Sequence, residues 1–385
     1  MREVAIIGIG QTPVDEHWDK SLRELAGEAV FAAMNDAGRN RVEGLFVSNM
    51  MSAILSHQDN LGALISDWIG LPGIEAMKVE AACGSGGAGV RAGLMAVASG
   101  ELESALVVGV EKMTEAVPDE TTGALATAAD EDYEAEMGLS FVALNALVMQ
   151  RYLHETGWKK DDFAPFPINA HANAVHNPFA RLPEPISIEA YRKARAIAEP
   201  INLLDASPTG DGAAALLLVP AETLRRGGPR PIVSIAGSAS ATDNIAIHSR
   251  KDPTWLTAAE LSAKRAYAQA GVGPGDIDVF ELHDAFSIMA ALSLEACGFA
   301  ERGQGPRLGL EGEITLTGRI PICTRGGLKA RGHPVGATGV YQVLEVVQQL
   351  RGEAGGSQVA DAKIGLAQNI GGSGATIVAH VLRVL

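Results

Sequence analysis

Short continuous apolar runs alternate along the chain with stretches in which apolar residues recur at helical spacing. Val4–Ile9 predicts a buried strand, Leu22–Ala37 a helix and Val42–Ser48 a second strand. Lys78 leads through Cys83 into a glycine- and alanine-rich helix, Gly86–Ser99, and then into the strand Ala105–Val110. Between Met113 and Gly138 the periodicity breaks into an acidic tract holding Glu115, Asp119, Glu120, Asp130, Glu131, Asp132, Glu134 and Glu136, which reads as a mobile loop or lid. Helical spacing resumes over Phe141–His154, and strands follow at Asp211–Val219 and Ile232–Ala236. The second half repeats the plan with a helix at Ala258–Ala270, a turn at Gly273–Asp276 and a strand, Ile277–Leu282, that delivers His283 and Asp284 at its end. A strand-to-loop passage holding Cys323, Gly326, Gly327 and His333 leads into a helix over Gly339–Leu350. The close is a strand, Lys363–Gln368, a glycine-rich turn, Asn369–Gly374, and a strand, Ala375–Leu382. Alternation of this kind builds parallel α/β layers, and two halves that each end a strand at polar residues and a glycine-rich turn point to an internal duplication.

Composition narrows the class. At 385 residues and 47% hydrophobic, the chain exceeds what one core usually organises, so two core units are expected. A formal charge of −15 argues against nucleic acid as a partner, and a polyanionic ligand would need a local basic patch. Lys159, Lys160, Arg192, Lys193 and Arg195 bring positive charge into the middle of the chain, where it could meet phosphates or simply face solvent. Cys83, Cys297 and Cys323 lie far apart with no Cys-x-x-Cys spacing, which gives neither a zinc ribbon nor a disulfide framework and suits a reducing cytoplasm. The nine histidines form no metal-ligand motif, no run approaches the roughly 18 apolar residues of a membrane span, and no cleavage-type segment follows Met1–Gly10. A soluble, unprocessed, metal-free protein is therefore expected.

The candidate chemistry centres on Cys83, in Glu80-Ala-Ala-Cys-Gly-Ser-Gly-Gly87 at the start of a helix. Unpaired N–H groups and the positive dipole end there would stabilise a thiolate and, later, an oxyanion, while the glycines would let a ligand approach the backbone. A cysteine among alanines and glycines is also an ordinary small buried residue, which is the default for Cys297. His333, in Gly-His-Pro-Val-Gly-Ala-Thr-Gly, sits in a turn made rigid by glycine and proline and suits a base held in one orientation. His283 ends a strand, a place where a histidine is often structural, yet with Cys83 and His333 it makes a Cys/His constellation possible. Gly8-Ile-Gly10 fails as a dinucleotide loop because Pro13 falls where the third glycine belongs, and Ser85 fails as a hydrolase elbow because Cys83 takes the place of the first glycine.

Four ordered blocks carry a likeness: VEAACGSGGAGVRAG around Cys83, HDAF at His283–Phe286, GGLKARGHPVGATG at Gly326–Gly339 and NIGGSGAT at Asn369–Thr376. Together with the opening VAIIGIGQTPV and the segment DASPTGDGAAALLLV, they resemble the thiolase superfamily, nearest to its sterol-carrier-protein type and archaeal members, in order along nearly the whole chain. The resemblance implies a duplicated five-layer α/β/α/β/α fold: residues 1–114 with 202–250 as one half, 115–201 as an inserted loop domain and 251–385 as the other half. It implies an acyltransferase that cleaves 3-oxoacyl-CoA with coenzyme A, or runs the reverse Claisen condensation, with CoA as substrate and no permanently bound cofactor. Cys83 would be the acylated nucleophile and His333 its base, and His283 would stand where related enzymes hold, with His333, a water or donor facing the thioester oxygen. The backbone N–H groups of Cys83 and Gly371 would form a second oxyanion hole. Partners implied are a homodimeric copy and a small accessory protein joining an OB-fold to a zinc ribbon.

Relatives use a second cysteine to move the proton at the α-carbon, and here those places hold Asn369 and Ala285. Cys323 is the replacement the sequence offers, against an inert substitution. Two further readings stay open: acyl transfer or retro-aldol cleavage of a bulkier aromatic or steroidal CoA ester, and a non-catalytic scaffold of the same fold.

Overall fold

The computed structural model describes residues 2–225, 227–228 and 230–385. Its first half runs β1 (Val4–Gln11), α1 (Leu22–Ala37), β2 (Gly44–Ser48), α2 (Ser52–Leu55), α3 (Leu61–Trp68), β3 (Glu75–Val79), α4 (Ser85–Ser99) and β4 (Ala105–Glu111). An excursion carries α5 (Pro118–Ala126), α6 (Phe141–Thr156), α7 (Pro165–Ala174), α8 (Ile188–Lys193) and a ribbon of β5 (Ala196–Ala198) and β6 (Ile201–Asn202), before β7 (Gly212–Pro220) returns to the sheet. The second half runs β8 (Val233–Thr242), α9 (Thr257–Ala270), β9 (Val279–Glu281), α10 (Ser287–Ala296), α11 (Gly305–Leu310), α12 (Thr338–Arg351), β10 (Ile364–Gly371) and β11 (Thr376–Val384). Local chemistry sets several of these bounds. Helix α1 begins at a capping box between Ser21 and Glu24, stops at Gly38 in the left-handed region, and buries Leu22, Leu25, Ala26, Ala29, Val30 and Ala33 along one stripe. Strands β4 and β7 are buried at every position, as strands covered on both faces must be.

The nine main strands form one sheet in the order β3-β2-β4-β7-β1-β8-β11-β10-β9. Beyond β9, Ile322 pairs in parallel with Phe280, so the segment around it stands where β3 stands at the other end. Read from either end, the sheet has two parallel pairings and then two antiparallel ones, and the halves join where β1 meets β8. This is the duplication that the sequence only hinted at. Helices α1 and α3 cover the outer face of the first half, α9 and α10 that of the second, and α4 and α12 lie between, giving five α/β/α/β/α layers. Each central helix follows the third strand of its own half. Helix α12 is buried on nearly all sides, and Val340, Val343, Val346 and Val347 share a core with Val90 and Val97 of α4. Among the described residues, no helix is long and apolar enough to cross a membrane.

Three expectations change. The halves divide before β8, not at residue 250, because β8 pairs with β11 in the second half of the sheet. The acidic tract is not without regular structure: it holds α5, with Pro118 at its start and Asp119 and Glu120 in its first turn, and a single π-type turn over Glu131–Ala135. Glu134 is buried there and accepts the Ile247 N–H at 2.7 Å, so part of that charge is internal. Residues 369–371, expected in the glycine-rich turn, belong to β10, with Asn369 paired to Val378 and Gly371 to Thr376. Tertiary pairing with β11 overrides the turn chemistry of their composition.

Candidate active site

The loop after β3 carries Cys83 into α4, and the loop after the Ile322 segment carries His333 into α12. These two equivalent loops meet because the helices touch at glycines. A Cβ on Gly86 would lie 2.5 Å from the Gly339 nitrogen, and one on Gly339 would lie 2.2 Å from the Gly87 nitrogen. Gly86 and Gly87 therefore serve helix-on-helix approach, where the sequence reading had the glycines beside Cys83 opening the backbone to a ligand. Cys83 and His333 line one cavity of about 240 Å³ together with His283, from the end of β9, and Gly372, from the β10–β11 turn. Its walls are mostly apolar, with Met113, Leu125, Phe141, Phe286 and Met289 among them.

Cys83 follows Ala82, which is held at φ +54°, a region costly for a residue with a side chain. The Ser85 hydroxyl holds that turn, accepting from the Ala81 N–H at 2.9 Å and donating to the Ala82 carbonyl at 2.6 Å. Cys83 is half-buried and lines the cavity, whose walls are mostly apolar. Burial, and then the Glu111 carboxylate, push the Cys83 thiol up to about 12, while the N–H groups of Cys83 itself and Gly372 pull it back. The Cys83 side chain at rest is thus a thiol, and a base would have to take its proton before it could act as a nucleophile.

His333 lines the same cavity. Burial, with Arg331 adding to it, pushes the imidazole down to about 3, so it is neutral at rest. The Thr338 hydroxyl contacts His333 Nδ1 at 2.7 Å and lies 3.3 Å from the Pro334 carbonyl, which can only accept. With its proton directed at Pro334, the hydroxyl accepts from Nδ1–H, and the Nε2 lone pair is left for the cavity. The His283 ring stands at 85° to that of His333 with centroids 5.0 Å apart, and burial and the neighbouring His333 and Arg331 hold it well below the usual histidine range. Both rings are neutral.

The structure does not bring Cys323 to the cavity. Its side chain is buried beside Asp284, and burial together with the Asp284 and Glu281 carboxylates holds the thiol well above its ordinary value. Asn173 fixes its carbonyl at 3.1 Å, which leaves this thiol behind the site wall. Cys297 caps α10 in the core, out of the site as expected. Gly371 packs on the backbone of Ala81 and Gly84, and Gly372, one residue on, lines the cavity with Cys83. Among the basic residues of the excursion, Arg192 pairs with Asp161 at 2.9 Å and Lys160 with Glu199 at 3.8 Å. Among the described residues, no cluster of histidine, cysteine and carboxylates could hold a metal ion.

Residues 4–222 match the family model for the thiolase N-terminal domain, and residues 239–384 match that for the thiolase C-terminal domain-like region. The chain belongs to the thiolase family. It is 44% identical to an acetyl-CoA acetyltransferase of Methanothermobacter thermautotrophicus over 99% of both chains. It is 32% identical to the benzoylsuccinyl-CoA thiolase subunit BbsB of Thauera aromatica, over 93% of this chain and 91% of that one. A solved structure described as an Ltp2-ChsH2(DUF35) aldolase superposes with a TM-score of 0.86 at 27% identity, over 99% of this chain and 98% of that one. A thiolase from Ascaris suum in complex with coenzyme A gives a TM-score of 0.73 at 18% identity, covering 100% of both chains, which speaks for the fold alone.

Beside the site of this thiolase stands one residue that no motif flagged. Glu111, at the end of β4, is fully buried and accepts from Asn49 Nδ2 at 2.8 Å and from the N–H groups of Met50, Met51 and Gly336 at 2.9, 3.0 and 3.0 Å. It ties the loop that carries His333 to the loop after β2. Burial pushes its carboxyl up to about 7 against the pull of those N–H groups. The signal available in the sequence was a lone acid closing an otherwise apolar strand, Ala105–Glu111.

Proposed function

We propose that this thiolase transfers an acyl group between a 3-oxoacyl-CoA thioester and coenzyme A through Cys83, with acetyl-CoA as the shorter product. The observation that carries the reading is the meeting of a protonated thiol and two neutral imidazoles in one apolar cavity. Cys83 Sγ attacks the ketone carbon as its proton passes to His333 Nε2, and the alkoxide formed lies against the N–H groups of Cys83 and Gly372. The C–C bond then breaks, its electron pair moves to the α-carbon, and the thioester oxygen that shares the charge accepts from His283. His333 returns its proton to that carbon. Coenzyme A next attacks the acyl-Cys83 thioester, giving its thiol proton to His333, which hands it to the departing Cys83 sulfur. One imidazole thus shuttles one proton in each half-reaction, which removes the need for a second cysteine.

The test is mass spectrometry after mixing with acetyl-CoA, with one acetyl group per chain expected on Cys83 and none in Cys83→Ala. CoA-dependent thiolysis of 3-oxoacyl-CoA esters should follow. A retro-aldol enzyme, the activity named for the Ltp2-ChsH2(DUF35) structure, would cleave its substrate without free CoA and leave Cys83 unmodified. A scaffold would do neither. For partners, we propose a homodimer and docking of a small OB-fold and zinc-ribbon protein. Strand β3 ends the sheet with Met77 exposed, as a strand awaiting a second copy would be, and that aldolase is described together with a DUF35 protein. Light scattering that finds only monomer in an active preparation would refute the dimer.

A further inference from the structure

Asn369 stands where related enzymes carry a reactive thiol, and the structure gives it a different set of partners. Its Oδ1 accepts from the Gly87 N–H at 2.9 Å, and its Nδ2 lies 3.1 Å from His283 Nδ1. The first contact fixes the second: a backbone N–H can only donate, so the oxygen faces Gly87 and the NH2 faces the histidine. An amide NH2 can only donate to a ring nitrogen, so His283 Nδ1 must be the bare acceptor and the ring proton must sit on Nε2. The amide has little freedom to do otherwise. Asn369 is buried in β10, paired to Val378, and the absence of side chains at Gly87 and Gly339 shapes the space around it. A Cβ on Gly339 would sit 2.3 Å from Oδ1, and one on Gly87 would sit 3.1 Å from the Asn369 Cβ. Gly87 is held from its other side by His380, whose Nε2 lies 3.1 Å from the Gly87 carbonyl.

We infer that Asn369 is a positioning residue that locks His283 in the Nε2–H tautomer, dedicating it to hydrogen-bond donation at the thioester oxygen and leaving proton transfer to His333. The same contact opposes protonation of His283, because an Nδ1–H would confront the amide N–H. Around the ring stand His333, Arg331 and the adjacent Asp284, with Arg331 itself paired to Glu345 at 3.4 Å. The catalytic half of the inference rests on the thiolase reading above, whereas the tautomer is a property of the resting protein.

The experiment is nitrogen NMR of the ¹⁵N-histidine-labelled protein, with the His283 signals assigned by their loss in His283→Gln. The expected spectrum shows a neutral ring protonated on Nε2. Asn369→Asp keeps an acceptor for Gly87 but replaces the NH2 with an oxygen that accepts, so the ring should move its proton to Nδ1 and leave Nε2 bare. In that variant, C–C cleavage should fall by about 10²–10³-fold, the usual loss for one oxyanion donor, with little change in KM. Acetylation of Cys83 by acetyl-CoA should continue, since its oxyanion lies against the Cys83 and Gly372 N–H groups. A wild-type ring protonated on Nδ1 overturns the inference whether or not any variant folds. A tautomer change in Asn369→Asp with undiminished C–C cleavage overturns the catalytic half. Failure of Cys83 to acetylate in the wild type would instead count against the thiolase reading and leave the tautomer result standing.

Discussion

Substitution of Gly86 by alanine tests whether the contact between α4 and α12 is what aligns Cys83 with His333. The added Cβ would lie 2.5 Å from the Gly339 nitrogen and 2.7 Å from that of Val340, both backbone atoms that cannot swing aside. Reaching ordinary contact requires the helices to part by about 0.9 Å. Alanine brings up to about 1 kcal/mol of helix propensity, and overpacking of a dense core costs about 1–3 kcal/mol, so the net loss of stability should be small, on the order of 1–2 kcal/mol. Catalysis should suffer more, because a misplacement of about 1 Å can cost about 10²-fold in rate. Gly86→Ala should therefore lower kcat for thiolysis by about 10²-fold while the melting temperature moves by only a few degrees. Gly123→Ala is the control: it sits on the exposed side of α5 with nothing within 4 Å of its Cβ, so neither quantity should fall. Steady-state thiolysis and thermal melts of both variants decide the matter. Wild-type kcat in Gly86→Ala would show that the glycine contact does not set the alignment.

The thiol of Cys83, pushed up to about 12, implies alkylation by iodoacetamide that rises about tenfold per pH unit from pH 7 to 10; a plateau already present at pH 6 would reveal a thiolate–imidazolium pair instead. Cys323→Ala should leave both Cys83 acetylation and C–C cleavage within about threefold and cost about 1 kcal/mol of stability, and a selective tenfold loss of cleavage would restore Cys323 as the proton donor. Glu111 has a carboxyl raised from 4.5 to about 7 in the fold, so the native state holds more protons than the unfolded chain between those values and its contribution to stability falls as pH rises through them. The loss amounts to about 3 kcal/mol, absent from Glu111→Gln, so the stability gap between the two proteins in urea should narrow from pH 5 to pH 8. A gap that does not change with pH would contradict the placement of Glu111 in a dry site.

What the chain alone determined was whatever repeats over a few residues. The stripe of Leu22, Leu25, Ala29 and Val30 with its Ser21–Glu24 cap, and the continuous burial of β4 and β7, are local patterns that dictate helix and strand wherever they occur. The motifs around residues 83, 283, 333 and 369 likewise named the chemistry, because each is written in consecutive residues. The helix inside the tract from Met113 to Gly138 went unseen because α5 is short, buries only Thr121 and Ala124, and has no apolar period to betray it. Distances between remote residues were beyond the sequence: Cys83 and His333 meet through the palindromic strand order and a glycine contact between two buried helices. The same holds for Asn369, which composition placed in a turn, and for Cys323, which chemistry placed in the site. Pairing with β11 straightened the first and aimed its amide at His283, while the packing beside Asp284 enclosed the second, since register and packing are settled only when the whole sheet has formed.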